Sequence, residues 1–429
     1  MRVIQSSAAR DVDDLLNRSA QRDPAVERRV RRIIADVRQR GDDALRDYAR
    51  TLDRLDGSME VSASEMRKEA GAVQPDVRKA IALAATNIRA VAARQVPRTR
   101  RITTTPGVTI EHRVLPLDRV GCYVPGGRYP LPSSLLMTAI PARTAGVKHV
   151  VAVCPRPDAT VMLAALEAGV DRLLRIGGAH AIAALAYGTA SVPRVDKIVG
   201  PGSAYVAAAK AQVSSDCAID FFAGPSEIVV VSTSGRPEWI AADLIAQAEH
   251  DPDARAILLT PSPRLAAAVA RECVRQMPAD GPAAQALDRN GGIVVTRSIA
   301  EAVDLSERTA PEHVVCDSDQ VAARLTRAGT VFVGRRSAQA LGDYVTGSNH
   351  VLPTSGGARA RGGLSAADFV RITSVQRIDA RGLSSIGPAA AALARAEGLV
   401  AHARSIEIRL EGLRAEAMGK MGAKAGARP

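Results

Sequence analysis

The strongest constraint on this chain is a rhythm. From about residue 121 onward, short apolar runs alternate with alanine-rich stretches of helical spacing. HVVAVC (149–154), RLLRI (172–176) and DKIVG (196–200) are the runs of a first block. EIVVVS (227–232), AILLTP (256–261), GIVVT (292–296), HVVC (313–316) and GTVFVG (329–334) make a second, and the two join near FFAGPSE (221–227). Runs that are apolar at successive positions bury both faces, as strands do in a parallel sheet covered by helices. Two first-block runs lead into glycine, at Gly177-Gly178 and at Gly200-Pro201-Gly202, and then into a helix. This βαβ grammar predicts an α/β fold: two Rossmann-like parallel-sheet domains with helical N-terminal and C-terminal extensions. The expected divisions are a helical segment 1–106, partly packed on the second α/β domain, a first α/β domain 107–222, a second 223–375, and a helical tail 376–429. Helical spacing is clear in VERRVRRIIADVRQRG (26–41) and VRKAIALAATNIRAVAARQV (77–96), whereas GVTIEHRVLPLDRVGCYVPGG (107–127) alternates as a strand does. The end of the tail, RAEAMGKMGAKAGARP (414–429), is small and basic and is expected to fray.

With 429 residues, 46% of them hydrophobic, the chain can bury a large core. No run approaches the ~18 apolar residues of a membrane span, and MRVIQSSAARDVDD lacks the apolar centre of a secretory signal. A cytoplasmic protein without a membrane partner is expected. Five scattered cysteines contain no CxxC pair, which disfavours a disulfide framework or a thiolate zinc site. The net charge of +12 raises the question of nucleic acid, but the excess is arginine dispersed along helices. Four phenylalanines, six tyrosines and one tryptophan provide no stacking platform interleaved with it, so no nucleic-acid partner is expected.

The chemistry must come from few residues. There are seven histidines: His112, His149, His180, His250, His313, His350 and His402. In QAEH (247–250), Gln247 and His250 are three apart and share a helical face, half of a site for a borderline or hard divalent ion. In APEHVV (310–315), Glu312 and His313 are proton-transfer types at the mouth of a strand. Asp343 and His350 share a Gly/Ser/Asn-containing loop, and Glu397 and His402 lie near the tail. Each pair alone is also compatible with an ordinary turn or an exposed helix. Neither glycine turn is a G-x-G-x-x-G fingerprint, although N–H groups at a helix start suit a phosphate.

Taken in order, GCYVPGG, RIGGAHAIAALAYGT, DKIVGPGSAYV, FFAGPSEIVVV, DLIAQAEHDP, APEHVV, GDYVTGSNHVLPT and EGLVAHARSIEIRL resemble the histidinol dehydrogenase family over nearly the whole chain. The resemblance implies a zinc- and NAD-dependent enzyme that oxidises L-histidinol through histidinal to L-histidine. It implies one zinc per subunit, held by Gln247, His250 and Asp343 with His402 from a dimer partner. Glu312 and His313 match the acid–base pair. Ser226, His350 and Glu397 match substrate contacts beside His313 and the four metal ligands, with Glu397 also crossing between subunits of a homodimer. Tyr123, His180 and Ser203 match cofactor contacts. In these terms 107–222 is the cofactor side, 223–375 carries the metal and catalytic residues, and the tail is dimer-swapped.

Two positions depart from the family pattern. GGAHAIAA (177–184) stands for GGAQAIAA, and GPGSAYV (200–206) for GPGNAYV. His180 and Ser203 therefore bear on cofactor affinity and on NAD against NADP, although both can hydrogen-bond a ribose or phosphate. The alternative is a paralogous zinc and NAD dehydrogenase of another small polar alcohol, such as dihydroxypropanesulfonate, which shares the GGL turn of RARGGLSAADF (359–369). Retention of Glu397 and His350 favours histidinol, because a carboxylate suits a cationic imidazole better than a sulfonate. A remote third reading is a basic polyanion-binding protein without catalysis.

Overall fold

The structure, a computed structural model, describes residues 1–16, 23–126, 130–222 and 224–425. Its first strands are β1 (Arg2–Gln5), β2 (Glu60–Val61), β3 (Arg100–Thr105), β4 (Val108–Pro116), β5 (Arg119–Tyr123) and β6 (His149–Val153). Next come β7 (Arg172–Leu174), β8 (Lys197–Val199) and β9 (Ala218–Ile219). The second block supplies β10 (Glu227–Val231), β11 (Arg255–Thr260), β12 (Gly292–Val295), β13 (His313–Cys316) and β14 (Thr330–Val333), and β15 (Val370–Ile378) follows.

Two six-stranded sheets form in one compact unit, Met1–Val96 with Leu117–Phe369. The first has the order β2-β7-β6-β5-β8-β9 and is parallel apart from β2. The second, β1-β12-β11-β10-β13-β14, is parallel throughout. Both carry helices on their faces, as continuous apolar strands require. Along β10 the side chains alternate between two cores. Ile228 and Val230 pack toward the helices Pro237–Ala248 and Pro263–Gln276, while Val229 and Val231 pack toward Ala9–Leu16 and Ile299–Thr309. In the first block the helix Gly178–Tyr187 is buried almost all round, as its apolar composition demands.

The second compact unit comprises Pro97–Pro116 and Val370–Pro429. It holds the antiparallel sheet β15-β4-β3 and the helices Ala380–Ala396 and Val400–Ala425. A Cβ on Gly387 would meet Leu410 at 3.0 Å, so glycine lets these helices approach closely. The N-cap Asp379 accepts from the Gly382 N–H and starts the first of them.

The α/β class with parallel sheets is as expected. The N-terminal segment, however, is not purely helical, for β1 and β2 are edge strands of the two large sheets and β3 belongs to the small one. RVIQ and EV are too short to show a period, and β1 pairs with a strand nearly 300 residues away. The 106/107 division falls in the β3–β4 turn, and the 375/376 division falls inside β15. Of 414–429, where fraying was expected, the residues through Ala425 continue the helix Val400–Ala425, while 426–429 and Gly127 of GCYVPGG lie outside the described residues. Among the described residues, no helix is long and apolar enough to cross a membrane.

Candidate active site

Glu312 and His313 sit where β13 begins. The preceding helix stops at Ala310, which adopts a left-handed conformation at φ +48°, and Pro311 cannot continue it. The parallel register places Ile228 opposite His313 and therefore brings Glu227 beside the pair. The Glu227 N–H donates to Glu312 Oε2 at 2.8 Å, and His313 Nδ1 donates to the Glu227 carbonyl at 3.1 Å. A carbonyl only accepts, so Nδ1 carries the ring proton and Nε2 keeps a lone pair. That lone pair faces Gln339 Nε2 at 3.4 Å and lies 3.8 Å from Asp343 Oδ1.

Both side chains are buried, with opposite electrostatic results. Burial pushes the His313 pKa down to about 3, so the ring is neutral around pH 7. Burial also raises the Glu312 carboxyl well above the usual carboxylate range; the Glu227 N–H opposes this and the Glu227 and Asp343 carboxylates add to it. The Glu227 side chain is itself anchored, accepting from the Ser355 N–H at 3.1 Å and from Arg255 at 3.4 Å.

The expected ligands gather in part. Gln247 lies in the last turn of Pro237–Ala248, and His250 follows just beyond the helix end, tied back by its N–H to the Gln247 carbonyl at 3.3 Å. The two therefore do not share a helical face. His250 Nε2 lies 3.9 Å from Asp343 Oδ2, whose carboxyl is raised by burial and held down by His250 and by Gln339. Gln247 is 1% exposed, and neither its amide oxygen nor its nitrogen has a partner. Among the described residues no three His, Cys, Asp or Glu side chains gather as a metal site. The mixed set of an orphaned amide oxygen, an imidazole and a carboxylate nevertheless has the donor chemistry of a borderline divalent cation. His402, in Val400–Ala425, and Glu397, at the end of Ala380–Ala396, belong to the second compact unit.

His350 donates from Nδ1 to the Asp343 carbonyl at 2.8 Å and accepts from the Ser134 hydroxyl at 3.3 Å. Burial lowers its pKa. A pocket brings Ser226, Glu312 and His350 together with Gly200 and Pro201. The C-terminal ends of first-sheet strands thus approach the N-terminal ends of β10 and β13, where the acid–base pair is held.

The three expected cofactor contacts separate. Ser203 is exposed at the start of Ala204–Val213 and makes no capping bond. Tyr123 is buried, its hydroxyl accepts from the Gly178 N–H at 3.0 Å, and burial pushes its pKa up to about 12. His180 is fully enclosed: Nε2 meets Asp53 Oδ2 at 2.8 Å, and the ring stacks on Tyr48 at 5.6 Å. Asp53 Oδ2 also accepts from the Gly177 N–H at 3.0 Å. Glu227, Gln339, Ser134 and Asp53 escaped the sequence reading. Only Gln339, four residues before Asp343 on one short helix, had a readable spacing.

Fold and site together define an α/β enzyme with a buried Glu–His pair beside nitrogen and oxygen donors. The histidinol dehydrogenase family model matches residues 16–410. The chain therefore belongs to the histidinol dehydrogenase family. It is 45% identical to the histidinol dehydrogenase of Cereibacter sphaeroides, an alignment covering 94% of this chain and 96% of the relative. It is 48% identical to that of Geobacillus kaustophilus, over 90% and 94% of the two chains. The crystal structure of histidinol dehydrogenase from Elizabethkingia anophelis superposes with a TM-score of 0.91 at 33% identity, covering 96% of this chain and 99% of the other.

Proposed function

We propose that this chain oxidises L-histidinol through histidinal to L-histidine with two NAD, the last step of histidine biosynthesis. The observation that carries this reading is the single residue Glu227, whose main chain holds both Glu312 and His313, with Asp343 3.8 Å from the His313 ring and His250 3.9 Å from Asp343. Bound NAD supplies the two-electron acceptor of each oxidation, and zinc supplies a charge that holds and orients the amino alcohol. Gln247, His250 and Asp343 would hold the zinc together with His402 of the partner subunit.

His313 Nε2 takes the hydroxyl proton as the alcohol is oxidised. The imidazolium so formed has the Asp343 carboxylate, Oδ1 at 3.8 Å, as its counter-charge. Glu312, raised out of the usual carboxylate range, takes a proton from the water that hydrates the aldehyde. Ser226 and His350, with Glu397 of the partner subunit, position the substrate, alongside the ligands and His313. Ser203 meets the cofactor directly, while Tyr123 and His180 build the wall behind it. A homodimer is supported by apolar residues left exposed in the second compact unit, among them Ile372, Leu393 and Val400. No nucleic-acid or membrane partner is proposed.

NADH formation by zinc-loaded protein tests the reading, with histidinol and dihydroxypropanesulfonate as substrates and NAD and NADP as acceptors. Two NADH per histidinol, with no turnover of the sulfonate, is the expected result. Turnover of the sulfonate alone would replace histidinol with the paralogous substrate.

A further inference from the structure

We infer that Lys210 and Asp220, a buried ion pair outside the acid–base and metal groups, position the cofactor by clamping one peptide turn; this rests on the NAD-linked reading above. Their side chains are 3% and 0% exposed, and Lys210 Nζ contacts Asp220 Oδ1 directly. Both also bind the main chain of Gly200. Asp220 Oδ2 accepts the Gly200 N–H at 2.8 Å, and Lys210 Nζ donates to the Gly200 carbonyl at 2.9 Å. Gly200 has φ +116°, a conformation closed to most side chains, and a Cβ there would collide with the Tyr123 carbonyl. Asp220 is fixed in turn: its Oδ1 accepts the Phe221 N–H at 2.6 Å, its carbonyl accepts from Arg361, and Arg361 covers the Phe221 ring at 4.8 Å.

The clamp has a functional address. The turn it holds presents Gly200 and Pro201 to the pocket that contains Ser226, Glu312 and His350. The same turn delivers the exposed Ser203. A buried ion pair is replaceable by apolar residues without loss of stability, whereas an apolar pair cannot grip both ends of a peptide unit. Lys210 and Asp220 reach the lining of the same pocket behind the turn, and they are positioning residues: they set the cofactor-side wall against the proton-transfer side through the Gly200 peptide.

The test uses Lys210→Met, Asp220→Asn, the double variant and Lys210→Arg in the full-length, zinc-loaded protein. Each single removal strands a buried partner and lowers Tm, and the double variant recovers Tm because neither charge is left alone. The double variant is nonetheless expected to bind NAD roughly tenfold more weakly by equilibrium dialysis, with KM for NAD rising in parallel and KM for histidinol unchanged. Lys210→Arg, which keeps a donor, recovers part of the NAD affinity. A double variant with wild-type Tm and wild-type NAD affinity overturns the inference. If the wild type binds NAD but does not oxidise histidinol, the substrate reading falls and the dialysis still decides the clamp. If the wild type binds no NAD, both fall.

Discussion

Glu227 holds the proton-transfer pair with its peptide group, so the geometry survives changes in the side chains being held. Glu312→Gln keeps an oxygen to accept the Glu227 N–H and should fold normally. It loses the proton-accepting carboxylate, so NADH formation from supplied histidinal should fall ~10²-fold or more, while alcohol oxidation falls far less. Equal losses on both substrates would remove Glu312 from the hydration step. Gln247 gives the opposite case, a residue whose native environment is unfavourable without a ligand. Gln247→Leu keeps the volume and removes two unpartnered buried atoms. Metal-free protein should gain about 1–3 kcal/mol in denaturant unfolding, while zinc affinity measured by chelator competition falls. A destabilised metal-free variant would show that Gln247 serves the fold instead.

The helix that bears Gln247 also bears Asp243, a largely buried carboxyl whose pKa is raised to about 6 by burial alone. The folded state therefore binds this proton more tightly than the unfolded chain, whose ordinary value is 3.8. The stability contribution is intact below about pH 4 and is lost as pH rises through about 6. Asp243→Asn should raise stability by about 1–3 kcal/mol at pH 7 and leave it unchanged near pH 4, read from unfolding curves at both pH values. This helix was legible because its apolar spacing, N-terminal proline and terminal Asp251-Pro252 are all local signals. β1, β2 and β3 were not, since their evidence is a pairing partner remote in sequence. The helix end was misplaced by about one turn, which changed Gln247 and His250 from face-sharing neighbours into residues on either side of a turn.

At the scale of the whole molecule, residues from both large sheets line one pocket, and their relation was only partly legible. Glu312, His313, Asp343 and His350 were readable as residue types, although Asp343, expected in a loop, lies in the short helix Gln339–Tyr344. Of the residues that orient them, Gln339 had only its spacing to show, and Glu227 and Ser134 had nothing, because a main-chain bond or a buried serine leaves no compositional trace. The proposed sharing of His402 between subunits makes a prediction only an assembly can show. Inactive His250→Ala and His402→Ala proteins, mixed under conditions that exchange subunits, should regain activity, because each mixed dimer contains one intact site. Mixed dimers that form, verified by mass, and stay inactive would place His402 elsewhere.

The glycine turn at Gly177-Gly178 looks in sequence like the one at Gly200-Pro201-Gly202, and the structure gives each a resident carboxylate. The Asp53 carboxylate already takes the Gly177 N–H, and the Tyr123 hydroxyl takes that of Gly178. A phosphate arriving there would compete with an acceptor already tethered in place. The two turns are thus alike in spelling and in occupancy, with Asp53, pinned by His180, at the first and Asp220, paired with Lys210, at the second.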